Sequence, residues 1–339
     1  MTFILVRKLL RDVRPALIAV CLVLFVFAAF WVKITQRVTT EIVPMARLIS
    51  QFSFGNAKLL ETLFVRGPSK VSQAALGWGE LNFDQPNDFL AIGMLHPVVL
   101  VLSIVWGVGR SAGAVAGELD RGTMELLMSQ PVPRNRLILA HFIVDCVVLP
   151  ILCLSFFAGT QFGLAVVGDF VPDYTMLDET MKSSQPEAAP VKDFKQKILR
   201  DARDPTPLEV SGMGELPGLS NTFALMFAIS GMTLAISAAG RNRWKVIGYA
   251  VLVVVIMFVA NTVGQLWEPA GFVRPLTFFH YYQPQRAMID GDWTVDLNKA
   301  WDLGRPVLVP AVGVLGAVGA VGYAFALWAF TRRDLPAPL

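Results

Sequence analysis

The chain has 339 residues, of which 54% are hydrophobic and 16% charged, with a mean hydropathy of +0.55 and a formal net charge of +3. Soluble domains carry about 25% charged residues, so a length that would admit two soluble domains is spent mostly on membrane instead. The small positive charge gives no reason to invoke nucleic acid. The three cysteines, Cys21, Cys146 and Cys153, all lie in apolar runs, which excludes a disulfide framework and a zinc pattern.

The chain opens on Arg7, Lys8, Arg11 and Arg14 interleaved with Leu and Val, compatible with an amphipathic helix on a membrane surface. An apolar run over 16–32 follows, with no small-x-small cleavage site after it, so it reads as an uncleaved anchor. Five further runs, 89–110, 137–160, 219–239, 246–267 and 306–330, also approach the roughly 20 residues that cross a ~30 Å hydrocarbon core. The run 246–267 holds twelve Val, Ile, Leu or Phe residues. At about −0.3 to −0.6 kcal/mol each, they favour insertion by roughly 4 to 7 kcal/mol with no charge to offset it. Glycines at 313, 316, 319 and 322 leave a groove on the last run for another helix, with packing inside the same chain or a dimer seam as the two readings.

Three long connections, 33–88, 169–218 and 268–305, alternate with short ones. The first carries a helical pattern near 56–65, and the second is rich in Pro and acidic residues over 183–190, which suggests a solvated excursion. In the third, Arg274–Pro284 mixes aromatics and prolines as an interfacial or re-entrant segment does. Lys and Arg in short loops set orientation. Four fall before the first run, three in 118–136, three in 241–245 and two in the tail at 332–333. Both termini are therefore expected in the cytoplasm.

No Gly-x-x-x-x-Gly-Lys-Ser/Thr loop, His-Glu-x-x-His or Gly-x-Ser-x-Gly occurs, and His96, His141 and His280 lie in three separate segments. No cofactor or metal is expected on this chain. His141 and Asp145, at i and i+4 in the third run, read as capping, local pairing or contact with the preceding loop.

That loop is the most distinctive segment. Residues 118–130 read as a short helix of about three turns, stopped by Pro131 and Pro133. Glu118 can reach Arg121, Arg121 can reach Glu125, and Leu119, Thr123, Leu126 and Leu127 form an opposing stripe. Gly122 in mid-helix costs up to ~1 kcal/mol, which a close approach of another backbone would explain.

The pattern Glu118-x-x-x-Gly122-Thr123-x-x-Leu126-Leu127-x-x-x-Pro131-x-x-Arg134 resembles the first cytoplasmic loop of ABC-2 type transporter permeases. The segment 276–284 with Gly291-Asp292-Trp293, and the ending Arg332-Arg333-Asp334-Leu335-Pro336, are similar to segments of the same superfamily. The resemblance implies an all-α, six-span subunit with a type V exporter-like architecture in the bacterial inner membrane. It implies export of an unidentified substrate, driven by two copies of a separate ATP-binding subunit that carries ATP and Mg, and pairing with a second copy or a paralogue. The implied coupling residues are Glu118, Asp120, Arg121, Gly122, Thr123, Glu125, Leu126, Leu127, Pro131 and Arg134. The competing readings are an intramembrane enzyme using His280, Asp290 or Asp292, and a non-transporting scaffold or channel. Cysteines introduced at Ser183 and Gln130 should label from opposite sides of the membrane, Ser183 from outside; labelling of both from one side rules out this topology.

Overall fold

The computed structural model describes residues 2–43, 85–128, 133–173 and 206–333. The helical pattern at 56–65, the Pro-rich stretch at 183–190, Pro131 and the tail from Asp334 lie outside these residues. Six segments in the described residues are helical, long and apolar enough to cross a membrane.

Helix α1, Thr2–Arg37, has 36 residues and ends in a π-turn, Val38–Ile42. The basic start and the first span are thus one continuous rod rather than a surface helix followed by a span. The second run is expected as a single helix but forms two, α2 (Pro86–Leu95) and α3 (Pro97–Ala112). Pro97 pushes His96 out of the helical region, to φ −61° and ψ 138°. His96 Nδ1 accepts from the Val98 N–H at 3.3 Å, and the Tyr282 hydroxyl donates to the Met94 carbonyl at 2.7 Å. Irregular backbone is tolerated at membrane depth where protein groups satisfy it in this way.

Two short helices follow, α4 (Ala116–Asp120) and α5 (Thr123–Met128), and then α6, Arg134–Val167. A 3-10 turn at Gly212–Glu215 leads into α7, Leu216–Ala239. The side chain of Asn242 accepts from the Lys245 N–H at 3.1 Å and caps α8, Arg243–Leu266. The third long connection is folded throughout. It runs through a 3-10 helix (Glu268–Leu276), α9 (Phe278–Tyr281), α10 (Pro284–Ile289), β1 (Thr294–Asp296), α11 (Asn298–Trp301) and β2 (Leu308–Pro310). The strands pair antiparallel with Val295 opposite Val309. Because 308–310 are taken into β2, the last span, α12, begins at Ala311 and ends at Arg332.

Apolar burial between spans is no gain when lipid is the alternative, so close backbone approach carries the packing. Helix α1 lies on α6, where Gly159 and Gly163 face the backbone of Phe25 and Ala29, and Ser155 Oγ donates to the Cys21 carbonyl at 2.7 Å. Helix α7 lies on α12 in the same manner, with a Cβ on Gly231 overlapping the Gly319 carbonyl. The glycine stripe of the last span is therefore used within the chain at Gly319 and Gly322, while a Cβ at Gly316 would meet nothing within 4 Å among the described residues. Leu149, Leu225, Ile229, Leu315 and Phe330 are buried, whereas Ile18, Leu22, Phe30, Leu252, Ile256 and Val259 are exposed and form the apolar outer surface.

Gly319→Val should force α7 and α12 apart and reduce stability by about 1–3 kcal/mol, as overpacking does. Gly316→Val should leave it near wild type. Denaturant unfolding of the chain in detergent compares the two, and equal stabilities would contradict the close α7–α12 contact.

Candidate functional site

The loop between α3 and α6 does not form one helix. Gly122 sits between α4 and α5 with φ +70°, the left-handed region in which glycine ends helices without penalty. Among the described residues a Cβ there would meet nothing within 4 Å, and the left-handed backbone accounts for the glycine. The Glu118 carboxylate bridges the turn. It accepts from Arg121 at 2.5 Å and from the Thr123 hydroxyl at 2.5 Å. Asp120, Arg121, Gly122 and Leu126 are exposed at the tip, Leu126 at 72%, while Met124 is buried beneath them at 2%. Leu119 and Thr123 are half-buried. The side chains of Glu125 and Leu127 lie outside the described residues, as does Pro131.

The base of the loop is fastened to three other segments. Ser237 Oγ, near the end of α7, accepts from the Val115 and Ala116 N–H groups at 3.2 and 3.1 Å, and donates to the Ala112 carbonyl at 3.0 Å. Asn242 donates to the Asp120 carboxylate at 2.9 Å, and Arg243 Nη2 donates to the Gly109 carbonyl at 3.4 Å. Arg134, the first residue of α6, donates to the Arg333 carbonyl at 2.6 Å. Arg333 in turn donates to the carbonyls of Ala238 and Gly240 at 2.9 and 2.7 Å. Burial first, and the charge of Arg241 second, hold Arg333 below the ordinary arginine value.

One turn above the loop, Arg110 of α3 forms an ion pair with Asp145 of α6, both side chains being buried at 8% and 2% exposure. The second carboxylate oxygen of Asp145 accepts from the Tyr323 hydroxyl of α12 at 2.6 Å, and Arg110 Nη2 donates to the His141 carbonyl at 3.4 Å. Asp145 is thus not the local partner of His141, as the i, i+4 spacing suggests, but the joint of three spans. His141 is itself buried, with no hydrogen-bond partner for Nδ1 among the described residues. The pair was missed because Arg110 stands at the margin of an apolar run and reads as an ordinary flanking charge. The one available signal was a lone acid, Asp145, in the next run.

At the far end of α8, His280 and Asp292 line one cavity, and Asp290 is not among its lining residues. Asp292 accepts from the Thr294 N–H and hydroxyl at 2.9 and 2.8 Å and from Arg286 at 2.6 Å. Those bonds, the Thr294 backbone first, hold its carboxyl below the usual range, so it is a committed acceptor and no proton donor near neutral pH. Among the described residues no group of three or more His, Cys, Asp or Glu is placed to hold a metal ion.

Asp145→Ala leaves a guanidinium buried without its counter-charge and should destabilise the chain by about 3–5 kcal/mol. The double replacement Arg110→Leu with Asp145→Leu should recover most of that loss. Denaturant unfolding in detergent measures both, and an Asp145→Ala protein as stable as wild type would show that the pair is not buried.

The helical architecture agrees with the comparison to known families, in which the model for the ABC-2 family transporter protein matches residues 6–181. No curated protein and no solved structure matches the chain. The matched half contains α1 to α6, the loop and the Arg110–Asp145 pair. An all-α multi-pass membrane protein with this match belongs to the ABC-2 transporter family and is a permease of that family.

Proposed function

We propose that this chain is the permease subunit of an ATP-driven exporter in the bacterial inner membrane, paired with a second copy or a paralogue. Both termini and the 113–133 loop face the cytoplasm in this reading. The observation that carries it is the construction of the loop, an exposed tip of Asp120, Arg121, Gly122 and Leu126 on a base bonded to Ser237 of α7 and to Asn242, the cap of α8. A surface built this way receives a load at the tip and delivers it to several spans together. The ATP-binding subunit, two copies of it carrying ATP and Mg, supplies that load. Glu118 and Thr123 hold the tip's shape, Arg134 ties the start of α6 to the chain end, and Glu125, Leu127 and Pro131 complete the docking segment.

Above the tip, the Arg110–Asp145–Tyr323 network couples α3, α6 and α12. A buried pair of this kind resists partial separation, because either charge left alone is expensive. The three helices therefore shift as a set between two states of the membrane domain, which is the form of bias an ATPase can exert.

Leu126→Asp and Arg121→Glu should each lower co-purification of the ATP-binding subunit by about tenfold, the scale of a lost interface anchor of ~1.4 kcal/mol or more. Gly122→Trp should weaken it as well, by placing an L side chain in a left-handed turn at about 1–2 kcal/mol. Glu209→Lys, exposed on the opposite end, serves as control. Unchanged assembly and transport in all three loop variants would remove this loop as the transmission element.

A further inference from the structure

The 3-10 helix Glu268–Leu276, α9, the β-hairpin and the end of α8 enclose a polar cavity of about 690 Å³. That size suits a small organic ligand, for which pockets run from about 300 to 1,000 Å³. Three cations, Arg274, Arg286 and Lys299, and three acids, Glu268, Asp292 and Asp296, line it. One cation and one acid, Arg286 and Asp292, pair with each other, which leaves Arg274 and Lys299 beside Glu268 and Asp296. Asp292 is held by Arg286 and Thr294, and Asp296 Oδ1 accepts from the Asn298 and Val307 N–H groups, both at 3.0 Å. Among the described residues neither Arg274 nor Lys299 is in a salt bridge, and the Lys299 charge acts on the Asp292 carboxylate.

Two buried groups in the wall lack partners. Arg274 Nε is inaccessible and unbonded, and His280, 5% exposed, has neither ring nitrogen hydrogen-bonded within the described chain. Buried donors nearly always find an acceptor, and a guanidinium in this position calls for a negative one. Burial, followed by the neighbouring Arg274 charge, holds the imidazole down to about 4, so at neutral pH it is uncharged and offers one N–H and one lone pair. Gly264, Val295, Ala300 and Leu308 supply apolar wall for the body of a ligand.

We infer that this cavity binds an oxyanionic group, phosphate or carboxylate, borne on a small organic molecule or a lipid headgroup. Half-buried Arg274 and buried His280 are its donors, and exposed Lys299 draws the charge toward the mouth. The site is independent of the coupling-loop reading, since it lies at the other end of α8 and needs no ATPase to be filled.

The test uses the full chain in nanodiscs with nitrogen-15 in the histidine rings, of which the chain has three. His280→Gln identifies the His280 resonances. In phosphatidylcholine discs, inorganic phosphate is titrated; in a second arm, phosphatidylglycerol replaces part of the phosphatidylcholine. A saturable shift of the His280 nitrogens, with His96 and His141 unmoved, is expected in at least one arm. Response to phosphate assigns a soluble oxyanion, and response to phosphatidylglycerol alone assigns a headgroup. Arg274→Gln should weaken binding by about tenfold or more, the loss of one charge-assisted hydrogen bond. Lys299→Gln, at an exposed position, should weaken it about threefold as a charge at the rim and carries the test should Arg274→Gln fail to fold. Absence of a saturable His280 shift in both arms, or unaltered affinity in the variants that fold, overturns the proposal.

Discussion

Water is absent from the middle of a bilayer, so any polar group placed there must find its partner in the protein. The architecture follows from how that demand is met. Where α2 gives way to α3, the carbonyl of Met94 is met by the hydroxyl of Tyr282, a residue nearly two hundred positions later. Where the chain turns from α3 into its loop, Ser237 of α7 meets two amide groups and donates to a carbonyl. Where a guanidinium enters the bundle, a carboxylate from α6 and a phenol from α12 stand opposite. Each of these is a cross-link between distant segments, and together they define a unique arrangement that apolar contact alone would leave slack.

The same bonds explain why the long third connection is a folded cap. Asn221 of α7 donates to the Tyr281 carbonyl and accepts from the Gln283 N–H, both at 3.0 Å, which clamps the aromatic segment onto the spans. Phe278, Phe279, Tyr281 and Tyr282 are then buried among Leu95, Leu225 and Leu315. The cap closes one end of the bundle while the serine-anchored loop organises the other.

The number of candidate spans was legible because a run of twenty apolar residues has few alternatives. The His96–Pro97 break was legible in principle, since proline disfavours helix in the residue before it, yet the uninterrupted hydropathy on either side concealed it. At Gly122 the sequence shows an anomaly, and the structure adds a reason that spacing does not display, a positive φ. A glycine needed for its φ and one needed for a close neighbour look alike in sequence, and only the open space around it separates them. The identities of the loop residues were visible, but their fastening to Ser237, Asn242 and Arg243 depends on how distant helices meet. The pairing of Arg110 with Asp145 was hidden for the same reason, as was the gathering of Arg274, His280 and Lys299 around one cavity.

The neutrality of the Arg110–Asp145 pair bears on how the membrane potential acts on this protein. A single charge moved through the full field gains or loses about 2.3 kcal/mol per 100 mV, enough to make a conformational step voltage-sensitive. A guanidinium and a carboxylate held together carry no net charge, so α3 and α6 can be displaced along the membrane normal with almost no electrical work. Separating them would expose each to the field with opposite sign. A displacement of these spans that keeps the ion pair intact is thus electrically silent, with its energetics left to protein contacts rather than to a transmembrane voltage.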